Sequence, residues 1–144
     1  MIQAIRQGAT GWMRRRDLAI LAVLYNTGIR LSELVSLNVE QVDLREALLV
    51  GLRRKGGHVK DLPINQTVIW ALAAWFDMHP LQDTDNPRPL FVSRLQRRLA
   101  GRTVEQLIAK YADKAGIAKR VSPHTFRHSV CSELQRRGAS IRAT

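Results

Sequence analysis

The sequence predicts a mainly α fold carrying a small antiparallel β-sheet, an α+β class, and three observations lead there. Apolar residues recur at helical spacing through residues 14–27, 31–38, 65–79 and 103–115, the period that gives a helix one buried stripe. Between the second and third of these, the pattern changes to a crowded, β-prone stretch from Val39 to Leu52, answered by Val59, Leu62 and Ile64 beyond Gly56-Gly57. Two such runs around a glycine pair predict a hairpin. The third observation is size: 144 residues with 45% hydrophobic content bury one core, so residues 1–144 are expected to form a single domain.

Each element has its own justification. Residues 1–13 are weakly patterned, a short helix or a frayed lead-in, and carry no assigned chemistry. The run from Leu18 to Tyr25 is apolar on every face, as in a helix buried mid-domain. Gly28 supplies its left-handed stop, and Leu31, Leu34, Val35 and Leu37 restart a helical stripe. The hairpin follows, a two-stranded ribbon with Lys55 at or beside its tip and Pro63 closing the second strand. Asn65 caps a helix running to about His79, with Val68, Ile69, Leu72, Trp75 and Phe76 on its stripe and His79 as an exposed cap. Residues 80–89 read as a proline-marked connection, and Phe91 to Leu99 as basic and ambiguous. Thr103 to Ala115 is a helix with Val104, Leu107, Ile108 and Tyr111 inward and Gly116 as its stop; Ser122 caps a last helix with Pro123 in its first turn.

Charge narrows the partner. Lys+Arg total 23 against 12 for Asp+Glu, a formal +11, and the excess is mostly arginine, whose planar fork suits phosphate. Nucleic acid is the first polyanion to expect. A membrane surface is not expected, because no long basic amphipathic helix with an aromatic face is visible, and no small-molecule substrate is indicated. The lone Cys131 excludes an internal disulfide and suits a reducing cytoplasm. Arg14-Arg15-Arg16 before an apolar run imitates a secretion signal, but Asp17 interrupts it and no small-residue cleavage site follows.

Two clusters carry candidate chemistry. Arg30 falls at a helix start, where free backbone N–H groups and a guanidinium together favour an anion; the plain alternative is an arginine ion-paired to Glu33 at a surface corner. His124 and Arg127 lie three apart in the first turn of the last helix, one face again open to an anion. His124, His128 and Cys131 imitate metal spacing, yet seven helical residues span roughly 10 Å, too far for one ion to hold both ends. Neither a metal nor any other cofactor is expected. Cys131 reads as core, His128 as a buried or supporting hydrogen-bonding histidine, and His58 as an even choice between phosphate contact and solvated loop.

Three ordered motifs then carry a family resemblance. Leu24 through Leu34, Lys55-Gly56-Gly57 with Leu62-Pro63, and His124-Thr125-Phe126-Arg127-His128 together resemble the catalytic domain of tyrosine recombinases, the phage integrase family, from about Arg16 to the last residue. The resemblance implies a helical domain with a small sheet to one side, clamped on duplex DNA and able to assemble with further recombinase protomers in a bacterial or phage-encoded cytoplasmic setting. It implies that Arg30 and Arg127 grip the scissile phosphate with His124, that Lys55 serves from the hairpin, and that Glu33 and His128 support them. Arg53, Arg54 and His58 are then the hairpin's DNA contacts. It also implies metal-free strand cleavage and rejoining through a 3′-phosphotyrosine, in integration, excision or resolution.

Two departures accompany it. The family's amino-terminal DNA-clamping domain is missing from these residues, and Ile141-Arg142-Ala143-Thr144 precedes the expected nucleophilic tyrosine. Tyr25 and Tyr111, the two tyrosines present, read as core. The 144 residues are therefore expected to be inactive by themselves, and a basic helical DNA-binding module without catalysis is the alternative reading.

Overall fold

In the computed structural model, which describes residues 11–53, 57–81 and 87–114, the elements are α1 (Trp12–Thr27), α2 (Leu31–Ser36), β1 (Val42–Asp43), β2 (Leu48–Arg53), β3 (Val59–Pro63), α3 (Gln66–Met78) and α4 (Gly101–Lys114). A single 3-10 turn, Val39–Gln41, joins α2 to the sheet. The expected α+β class is what these elements form.

The all-round apolar run makes α1 the centre of the core. Ala19 to Tyr25 are all buried, and α3 packs along them through Val68, Leu72 and Trp75. Leu49, Leu52 and Leu62 supply the sheet's buried face to the same core. Asn65 caps α3 as expected, its Oδ1 accepting from the Val68 N–H at 3.0 Å. Its Nδ2 donates to Asn26 Oδ1 at 2.8 Å, tying the start of α3 to the end of α1.

The sheet departs from a plain two-stranded ribbon. Its order is β1-β2-β3, all antiparallel, because Val42 and Asp43 add a short edge strand opposite Leu49 and Leu48. Between β2 and β3 the register shifts by one residue: Leu49 faces Leu62, whereas Leu52 faces Lys60. Gly51 absorbs the extra residue at φ 71°, a backbone conformation that costs glycine nothing, and its N–H donates to Asp61 Oδ1 at 2.9 Å. Such a bulge bends and twists the ribbon beyond it.

Phe91 to Leu99 proves to be a tight turn-back rather than a helix. Val92 pairs with Arg98, Leu99 N–H donates to Phe91 O at 3.0 Å, and Gln96 takes φ 61° at the turn. Its flank joins the strand-like 37–39 segment through Leu90 N–H to Leu37 O and Val39 N–H to Arg88 O. Buried Phe91 and Val92 stand side by side and the next buried residue is Leu99, with exposed Arg94, Arg97 and Arg98 between, so the stretch has neither a helical nor an alternating period to read.

Candidate nucleic-acid interface

The joint between α1 and α2 is built by short-range bonds. Gly28 ends α1 in the left-handed region (φ 72°, ψ 14°), while Thr27 Oγ1 donates to Val23 O at 2.6 Å and accepts from the Ile29 N–H at 3.2 Å. Ile29, 1% exposed, anchors the corner in the core. Arg30 follows in extended backbone as the residue before α2, and its N–H donates to Glu33 Oε1 at 3.0 Å. Glu33 thus satisfies one orphan donor at the helix start, half of a capping box; the guanidinium, a donor only, cannot return the bond.

That geometry bears on the ion-pair reading of Arg30 and Glu33. Among the described residues no ion pair joins the Arg30 guanidinium to Glu33. Glu33 is 8% exposed and supports the backbone, leaving the Arg30 side chain in solvent.

Between α2 and β2 lies a cleft of about 610 Å³, lined by Ser32, Glu33, Asn38, Gln41, Gly51 and Arg53 among others. Gln41 fixes its floor: Nε2 donates to Val50 O and Gly51 O at 3.0 and 3.2 Å, and Oε1 accepts from the Asn38 N–H at 2.9 Å. The bulge is thereby tied to the turn after α2, and the cleft brings Glu33 and Arg53 together. His58 is exposed on the other arm of the hairpin, after Gly57 at φ 80°. Arg54, Lys55, His124, Arg127 and His128 lie outside the described residues, as does Cys131.

Both tyrosines are core, as expected. Tyr25 is 7% exposed and Tyr111 3%. The Tyr111 hydroxyl donates to Asp17 Oδ2, and Arg16 meets Asp17 Oδ1 through Nε and Nη2, each at 2.8 Å. Arg16 Nη1 also donates to Val92 O at 3.1 Å, and its guanidinium lies 5.6 Å from the Trp12 ring. Burial raises the Asp17 carboxyl above its ordinary pKa although Arg16 and Tyr111 pull it down. Burial raises the Tyr111 phenol well above its ordinary value, and the Asp17 carboxylate raises it further. A phenol so placed has neither access nor acidity for attack on phosphorus.

Sequence reading missed this network, in which Arg16 passed for part of a basic run and Asp17 for an interruption. The available signal was an Arg-Asp pair opening an otherwise apolar helix.

His79 is a correction. It is 6% exposed rather than an exposed cap, with its ring centroid 4.7 Å from that of Trp75. Nδ1 accepts from the Leu81 N–H at 3.1 Å, so Nε2 carries the proton shared between Pro89 O and Leu90 O. Burial lowers its pKa below the ordinary value.

Comparison with known proteins places this architecture. The description of the phage integrase family matches residues 2–144. The chain belongs to the phage integrase family. Among its relatives are the tyrosine recombinase XerC of Syntrophus aciditrophicus, 38% identical over 134 residues (89% of this chain, 43% of that protein), and XerC of Pseudomonas aeruginosa, 36% identical over 132 residues (92% and 43%). The crystal structure of XerA recombinase matches with TM-score 0.72 at 34% identity, covering 95% of this chain and 47% of that one. The site-specific recombinase XerH bound to its difH substrate shares the fold at TM-score 0.70 and 18% identity. This phage integrase family chain thus spans less than half the length of the relatives it matches. No helix among its described residues is long and apolar enough to cross a membrane.

Proposed function

We propose that this chain is the phosphate-gripping part of a site-specific recombinase catalytic domain, acting on duplex DNA in the bacterial cytoplasm. The observation that carries the reading is Arg30: its backbone is pinned by Gly28 on one side and Glu33 on the other, yet its guanidinium is exposed. A fixed fork offered to solvent at a helix start is what a phosphate requires. In this reading Arg127 and His124 join Arg30 on the nonbridging oxygens of the scissile phosphate. Charge accumulates there in the transition state, and two guanidiniums and an imidazole stabilise it without a metal. Lys55, two positions after Arg53 in sequence, protonates the departing 5′ oxygen in this reading. The attacking oxygen is a tyrosine's, and the 3′-phosphotyrosine it forms stores the energy of the broken bond for rejoining. Arg53, Arg54 and His58 hold the ribbon to the DNA backbone, Glu33 and His128 support the grip, and further protomers complete the assembly on DNA.

Both tyrosines of these residues are buried, and that favours a second reading for the 144 residues taken alone: binding without cleavage. One experiment addresses both. The chain is incubated with a nicked suicide duplex, then resolved by denaturing electrophoresis, with Arg30→Gln assayed for binding in parallel. The expected results are no covalent adduct, and a log–log salt slope for Arg30→Gln that is less steep by about 0.9, one phosphate contact. An adduct abolished by Tyr25→Phe or Tyr111→Phe overturns the assignment of the tyrosines, and an unchanged Arg30→Gln slope overturns the grip.

A further inference from the structure

Arg88, Arg94, Arg97, Arg98 and Arg102 fall between Pro87 and Val104 with no Asp or Glu among them. Two of the five hold the fold. Arg88 Nε lies 3.4 Å from Glu40 Oε1. Arg98 Nη1 donates to Val35 O and Leu37 O at 2.9 and 3.0 Å, and its Nη2 to Asn38 Oδ1, so it closes the carboxyl end of α2. Arg94 and Arg97 are spent on nothing of the kind: both are exposed, and among the described residues neither guanidinium has an acidic or carbonyl partner.

The turn that carries them is nevertheless well built. Ser93 N–H donates to Arg97 O at 2.7 Å and Gln96 N–H to Ser93 O at 2.8 Å. Ser93 Oγ accepts from the Leu95 and Arg97 N–H groups, and buried Phe91, Val92 and Leu99 root the arms in the core. Between the two arginines Leu95 is 78% exposed, an apolar side chain that no packing accounts for.

We propose that the Ser93–Arg97 turn is a second DNA-contacting element, in which Arg94 and Arg97 pair with backbone phosphates and Leu95 packs against the sugar edge between them. The inference rests on the reading that Arg30 grips a phosphate. Charge complementarity commits the partner to a polyanion, and position makes it the same duplex. Arg98 fastens the turn to one end of α2 while Arg30 stands at the other, about 9 Å away by helical rise. The start of α4 abuts the same helix, since a Cβ on Gly101 would lie 3.6 Å from Leu31, and exposed Arg102 follows it. With a phosphate every ~3.4 Å of axis along each strand, an element this close reaches phosphates a few nucleotides from the one at Arg30. Rooting both contacts in α2 makes the turn a ruler that places the scissile phosphate under Arg30.

The test uses the 144-residue chain and a fluorescent mixed-sequence duplex, with affinity measured across a salt series. Arg94→Gln/Arg97→Gln is expected to make the log–log slope less negative by about 1.8, two phosphates. Leu95→Ser is expected to weaken binding several-fold at every salt concentration with the slope unchanged, because it removes no charge. Arg45→Glu, at the opposite end of β2 from the ribbon tip, alters net charge by the same amount as the double variant and is expected to change the slope far less. Thermal unfolding of each variant establishes that it is folded. A wild-type slope in the double variant, or an equal change in Arg45→Glu, overturns the proposal while leaving Arg30 untouched. Failure of the wild-type chain to bind with any salt dependence overturns both readings together.

Discussion

At the residue scale, the side chains that look alike in sequence divide by burial. Arg16 and Arg30 are both arginines beside helices; one is locked in a network at 5% exposure and the other is offered to solvent. The network makes Tyr111 a structural residue, so Tyr111→Phe should destabilise the fold by about 1–3 kcal/mol, the cost of leaving a buried carboxylate oxygen short of a donor. Denaturant unfolding checks this, and an unchanged midpoint would contradict the bond to Asp17. His79 gives a pH signature. Because burial lowers its folded pKa, the unfolded chain takes up the proton first. Its contribution is complete above the ordinary histidine value of about 6.5 and declines as pH falls through the folded pKa. His79→Gln should flatten that part of the stability profile, measured by thermal unfolding between neutral and mildly acidic pH.

At the element scale, α2 matters most. It is six residues long, too short to be stable alone, and it persists because each end is held: by Gly28 and Glu33 at its start, and by Arg98 at its end. Gly28→Ala should cost about 1–2 kcal/mol through the left-handed backbone. It should also weaken DNA binding beyond what the lost stability explains, since Arg30 is aimed from that corner. Equal DNA affinity in a fully folded Gly28→Ala chain would separate the corner from the site. The ribbon works by a similar principle, its bulge at Gly51 clamped by Gln41 and Asp61, so that the arm bearing Arg53 leaves the body in a set direction.

At the scale of the whole molecule, the formal +11 predicts binding dominated by phosphates. The log–log salt slope for duplex binding should be steeply negative, about −0.9 for each phosphate neutralised. A slope near zero across the physiological range would show that the charge serves some other purpose. The excess of arginine also predicts fast, salt-sensitive association, because a one-signed surface steers a polyanion before contact.

Local pattern sufficed for part of this protein. The apolar run of α1, the stop at Gly28, the Asn65 cap of α3 and the placement of Arg30 at a helix start depend on bonds between residues a few positions apart, and the ribbon around Gly57 on a turn pair between two β-prone runs, all of which sequence spacing records. Three ordered motifs were also enough to point to the phage integrase family. Tertiary structure decided what distance in sequence conceals. Tyr111 meets Asp17 across 94 positions and Arg98 reaches Val35 across 63, and His79 is buried by a segment that arrives ten residues later. Whether Glu33 pairs with the Arg30 side chain or holds its backbone was open to either reading in sequence, because both are reachable at that spacing. The extended backbone of Arg30 chose the second and left the guanidinium exposed.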